Sequence, residues 1–242
     1  MPEIRFEDVP AAMQQAYKLL IEFLEKTENL KSFSLRNAFY EPLNGRCEIM
    51  QNIEVSVRGY KGVLTKASLS KQKKRQEAGK LFQLTSELSS VINSIRMAGS
   101  RLSNLRWPDY PFKEQHQLEQ AYYRAGEIMR KTGIRWELSE GIFVIAQNIK
   151  DESNYARMEN FLSSKYEELK EKSGEETELT RDFKTCMGSY LRVLEEHFKA
   201  GGDYFLLKDY MTTHGNVLYT AVHLLEDCSS AISNYASSLS SG

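Results

Sequence analysis

Apolar residues recur at three- and four-residue steps along most of this 242-residue chain. The clearest run is Leu81, Leu84, Leu88, Val91, Ile95, Ala98, Leu102 and Leu105, a strict three-four alternation. That spacing puts every member on one helix face and has the geometry of a heptad seam. It serves equally a coiled coil, a docking helix for a partner, or a helix packed inside a bundle of this chain. Trp107-Pro108 ends the run, because the residue before a proline disfavours the α conformation.

Other segments show the same period. Met13, Tyr17, Leu20, Phe23 and Leu24 predict a first helix, capped by Asp8 with Pro10 in its first turn, to about Thr27. Leu118, Tyr122, Ala125 and Met129 predict a helix that restarts after Asp109 and Pro111 and ends at Gly133. A short apolar helix follows over about Trp136–Ile149. Met158, Phe161, Leu162, Tyr166 and Leu169 predict another over Glu152–Lys172. Ser173-Gly174-Glu175-Glu176 reads as a capping box. It would open a helix with Phe183, Met187, Tyr190, Leu191, Leu194 and Phe198 on one face, stopped by Gly201-Gly202. A short piece over Asp203–Met211 precedes a last helix from about His214 to Ser238, with Leu218, Ala221, Val222, Leu225, Cys228 and Ile232 in line.

Residues 47–66 allow two readings. Met50, Ile53, Val57, Tyr60 and Leu64 keep helical steps. Ile53, Val55 and Val57 also alternate, and Arg58-Gly59-Tyr60-Lys61-Gly62 could turn a small β-hairpin. Helix is favoured because its pattern runs further. The fold class is therefore all-α: an antiparallel, up-and-down bundle of seven to eight helices in one domain, with possible sub-bundles at 1–108 and 109–242. Leu88, Val91, Ile95, Leu191, Leu194 and Leu225 are expected in one core.

Composition adds little steering. The chain is 41% apolar with a net charge of −1, so nothing in the total directs it to nucleic acid or a membrane. It has no signal-peptide pattern, and its longest unbroken apolar run is Ile142–Ala146. The expectation is a soluble, cytoplasmic protein. Cys47, Cys186 and Cys228 lack metal-ligand spacing and read as small buried residues.

Charge is nevertheless segregated. Val55–Pro108 holds eleven basic residues against Glu77 and Glu87 alone, while 137–242 holds eighteen acids and ten bases. Lys71, Lys73, Lys74, Arg75 and Lys80, with Lys66 nearby, form the densest basic stretch and the candidate contact for an anionic partner. The same residues also suit a solvated helix face. Tyr204, Phe205, Tyr210 and Tyr219 lie near Gly201-Gly202, which could hinge a lid or simply fill a core.

The four histidines, His116, His197, His214 and His223, form no paired ligand motif, and no metal or cofactor is expected. Arg192 and His197 make an Arg-x4-His string. It resembles the signature of HEPN ribonucleases, themselves helical bundles, although Val193 stands where that family usually has a polar residue. The resemblance implies a divergent ribonuclease. The reading preferred from the residues is a bundle that binds a protein partner as an assembly or regulatory adaptor. A nucleic-acid accessory protein using residues 58–80 is the alternative. No catalytic residue and no oligomeric state is assigned.

Overall fold

The computed structural model describes residues 4–64, 70–106, 112–136 and 152–241. All regular structure among them is helical: a short 3-10 turn at Phe6–Asp8, then α1 (Val9–Thr27), α2 (Phe33–Phe39), α3 (Glu41–Asn44), α4 (Arg46–Leu64), α5 (Lys71–Ser103), α6 (Phe112–Lys131), α7 (Glu152–Ser173), α8 (Glu178–His214) and α9 (Val217–Ser241). The all-α expectation holds. The hairpin at 47–66 does not form, since residues 46–64 are helical; 65 and 66 lie outside the described residues. Met50, Ile53 and Val57 are buried while Val55 is exposed, so the helical period, not the alternating one, matches burial. The helix expected at 136–149 falls on residues that are not described beyond Trp136.

The chain divides into two compact units. The first gathers Met1–Leu30, Arg36–Leu105 and Asp209–Gly242. Here α9 packs along α5, and α1 packs on α9 and α4. The seam residues Leu81, Leu88, Val91, Ile95, Ala98, Leu102 and Leu105 are buried within the chain, with Leu84 half-buried. Gly99 marks the closest approach: a Cβ there would meet the Tyr219 ring at 3.3 Å and the Leu218 Cβ at 3.4 Å. Just before α9, the Asn216 side-chain amide donates to the Gly99 carbonyl and the Ser103 hydroxyl, both at 2.8 Å.

The second unit gathers Lys31–Leu35 and Arg106–Lys208. Its core joins Tyr122, Met129, Leu162, Leu169, Phe183, Tyr190 and Leu194 from α6, α7 and α8. Trp136 packs beside Tyr122, Phe161 and Phe183, with ring centroids 4.8, 5.4 and 6.2 Å away. The six core residues expected together thus divide: Leu88, Val91, Ile95 and Leu225 belong to the first unit, Leu191 and Leu194 to the second, and Leu191 is half-buried.

Three end signals move. Asp8 makes no side-chain cap to α1; its carboxylate accepts from Arg5 Nε at 3.3 Å instead. Ser173 closes α7 rather than opening α8, because Gly174 takes φ 87° there, in the left-handed region that suits glycine. The α8 start is built by Thr177 and Thr180: the Thr180 N–H donates to Thr177 Oγ1 at 3.3 Å, and the Thr177 N–H donates to Thr180 Oγ1 at 2.9 Å. Gly201-Gly202 does not stop α8, which runs to His214. Ala200, Asp203 and Leu207 are buried around the pair, and packing overrides a propensity cost of about 1 kcal/mol per glycine. Gly215, at φ 69°, ends the helix.

Candidate functional site

The basic stretch forms the first turns of α5. Ser70 caps it by accepting from the Lys73 N–H at 3.4 Å. At about 100° per residue, Lys71 and Arg75 share one side of the helix, Lys73 and Lys80 lie nearly opposite, and Lys74 falls between. Lys80 pairs with Glu77 at 3.0 Å, and Glu77 also takes a hydrogen bond from Tyr60. Burial, then the Glu77 charge, push the Tyr60 hydroxyl up to about 12. The five basic residues are therefore spread around one helix rather than aligned on one face. Lys66 lies outside the described residues.

The three thiols are free and buried. Burial pushes Cys47 up to about 11 and Cys228 up to about 12, and raises Cys186 as well. None is poised as a thiolate near neutral pH. The histidines stay apart: His116 contacts Gln120, His214 stacks on Tyr210 at 4.7 Å, and His223 pairs with Glu226 at 3.3 Å. His197 is half-buried beside Phe198, and burial lowers it to about 4. No cluster of three or more metal-ligating side chains occurs among the described residues.

Arg192 and His197 project about 140° apart around α8, as five helical steps require. Arg192 instead lines a groove between α6 and α8 of about 240 Å³, whose lining leaves out His197. Gln117, Gln120, Ala121 and Arg124 come from α6; Thr185, Cys186, Ser189, Arg192 and Val193 come from α8. Each set follows helical spacing along one face. Ala121, Cys186 and Ser189 are too short to fill the space where the helices meet, and longer polar side chains rim it. Neither Arg124 nor Arg192 has a carboxylate partner among the described residues. The Arg124 charge reaches Cys186 and partly offsets its upward shift, with Asp182 acting more weakly the other way.

A second feature of this unit is a carboxylate hub at residues 32–35. Asp203, 5% exposed, accepts from the Ser32 N–H at 2.6 Å. Glu196 accepts from the Ser32 hydroxyl at 2.7 Å and the Ser34 N–H at 3.1 Å. Ser32 Oγ in turn accepts from the Leu35 N–H at 3.2 Å, capping α2. The hub fixes the backbone on both sides of Phe33, which is 72% exposed. On α8, Leu206 (44% exposed) projects about 60° around the helix from Asp203, whereas Phe205 (37%) projects nearly opposite it. Tyr204 and Phe205 meet edge to face at 5.3 Å, and Lys208 lies over the Tyr204 ring at 5.9 Å.

Neither groove nor hub is evident from the sequence patterns above. The groove's trace is a pair of helical stripes, 117/120/121/124 and 185/186/189/192/193, in which short side chains sit where core residues are expected. The hub joins residues more than 160 positions apart and leaves no local trace. No family model, curated protein or solved structure matches the chain. No helix among the described residues is long and apolar enough to cross a membrane.

Proposed function

We propose that the protein acts by binding another protein, as an assembly or regulatory adaptor, through the exposed Phe33 and Leu206 of its second unit. The observation that carries this reading is Phe33, 72% exposed on backbone that Asp203 and Glu196 hold in place. Single exposed apolar residues are ordinary on a protein surface. Phe33 differs in standing out on backbone held at both ends, and covering it fully is worth about 1.5–3 kcal/mol; Leu206 is the exposed apolar residue of α8 on the side nearer Asp203. Lys31 precedes the hub and its charge reaches Asp203, so the fitting partner is an apolar protein segment with an acidic neighbour. The seam on α5 is not available for this role, since this chain already covers it.

The test is affinity capture with the full chain and with a Phe33→Ser/Leu206→Ser variant. The reading requires a protein retained by the parent and lost by the variant, with absorbance at 260 nm showing no nucleic acid. Equal retention by both would remove this surface from the function. Retained nucleic acid, released by salt, would favour the basic stretch instead.

A further inference from the structure

We propose that the groove between α6 and α8 is a binding site for a small phosphate-bearing ligand. Its wall supplies two guanidinium groups, Arg124 and Arg192, one from each helix. Guanidinium groups are planar, permanently charged, and match the oxygen pairs of phosphate in a two-bond fork. Two cations facing one groove without a carboxylate partner repel each other, and an anion between them removes that repulsion. The remaining polar lining can donate as well. Gln120 is oriented by its 2.8 Å contact with His116 and keeps a second amide hydrogen. Gln117 and Ser189 add an amide and a hydroxyl. Thr185 gives its hydrogen to the Arg181 carbonyl at 3.0 Å and serves as wall.

The floor is the outer edge of the second unit's core. Ala121, Cys186 and Val193 make an apolar base beneath the polar rim. A volume of about 240 Å³ holds a phosphate with a short organic body. Asp182 is the acid whose charge reaches Cys186, and its influence there is smaller than that of Arg124.

The experiment titrates the full chain with inorganic phosphate and with glycerol 3-phosphate, at ionic strength matched by chloride, following heat of binding and melting temperature. Variants are Arg124→Gln, Arg192→Gln, the filling change Ser189→Leu, and Lys184→Gln as a basic surface control. Far-ultraviolet spectra check that each folds. Saturable binding by the parent is expected, weakened tenfold or more by each arginine change, abolished by Ser189→Leu and unaltered by Lys184→Gln. Tighter binding of glycerol 3-phosphate than of phosphate would support an organic body in the groove; equal binding would support a site for the phosphate group alone. No binding of either probe at 10 mM overturns the proposal, as does binding that both arginine variants retain. If a 20-base-pair RNA duplex binds through Arg124 and Arg192 while neither small probe does, the groove is a nucleic-acid contact and the proposal fails.

Discussion

The Asp203 carboxylate accepts a 2.6 Å hydrogen bond from the backbone N–H of Ser32, a partner 171 positions away in sequence. This bond fixes the chain that carries Phe33. Burial raises Asp203 above its usual value of 3.8, and Glu196 adds to the rise; the Ser32 and Lys31 N–H groups and the Lys31 charge oppose it.

Two substitutions at Asp203 separate geometry from charge. Asp203→Ala strands the Ser32 N–H and should cost about 1–3 kcal/mol. Asp203→Asn keeps a carbonyl acceptor and removes the buried charge. With a raised folded value, the stabilising contribution is complete below 3.8 and is lost as pH rises from there through the raised folded value. The asparagine variant should therefore gain on the parent as pH increases from 3.5 to 7 in denaturant unfolding. A loss equal to that of the alanine variant would mean that the carboxylate's charge is itself required.

The long helices were legible because each has one apolar stripe, and the stripe period follows directly from 3.6 residues per turn; α2 and α3, of seven and four residues, are too short to show one. The pairing of helices was not. Leu88 and Leu191 have the same local pattern, yet they belong to different units, because spacing names a buried face without naming what covers it. Gly201-Gly202 misled for a related reason: a stop signal is local, and Asp203, just beyond it, is held by a partner 171 positions away while Leu207 is buried. The basic stretch was visible as composition, but its dispersion around α5 depends on register. The groove was hidden because short side chains, Ala121, Cys186 and Ser189, stand where its helices meet, on stripes that otherwise read as ordinary helix faces.

Tyr190 offers a test of the second core. It is buried, and its hydroxyl has no hydrogen-bond partner among the described residues. Burial, then the nearby Tyr122, raise its pKa. Tyr190→Phe keeps the ring packed 5.7 Å from Tyr122 and removes an unsatisfied polar atom. Thermal unfolding should show unchanged or higher stability, by up to about 1 kcal/mol. A clear loss would mean that the hydroxyl has a partner, such as a bound water.

Gly126 lies beneath Trp136 on α6. A Cβ there would approach two atoms of the indole ring at 2.7 Å, well inside contact distance. Alanine normally favours a helix interior over glycine by about 0.5–1 kcal/mol. Here Gly126→Ala must displace the ring from Tyr122 and Phe161, and overpacking of this kind costs about 1–3 kcal/mol. The expected result is a lower melting temperature together with altered tryptophan emission. A stabilised variant with unchanged emission would show that Trp136 does not rest there.

His197 should give the acid side of the stability profile an opposite slope to that of Asp203. Burial lowers its folded value from 6.5 to about 4. The unfolded chain then binds the proton more readily, so stability from this group is present above 6.5 and drains away as pH falls towards 4. Asp203 acts in the reverse sense from 3.8 upward, so the two partly cancel where their windows overlap. Replacing His197 with glutamine removes one of the opposed groups. Unfolding free energy measured from pH 4 to 7 should then fall less steeply with acid than in the parent. A His197→Gln profile parallel to the parent's would show that the imidazole titrates normally and that solvent reaches it. Combining His197→Gln with Asp203→Asn should leave the shallowest profile of the four proteins, because both buried titrations are gone.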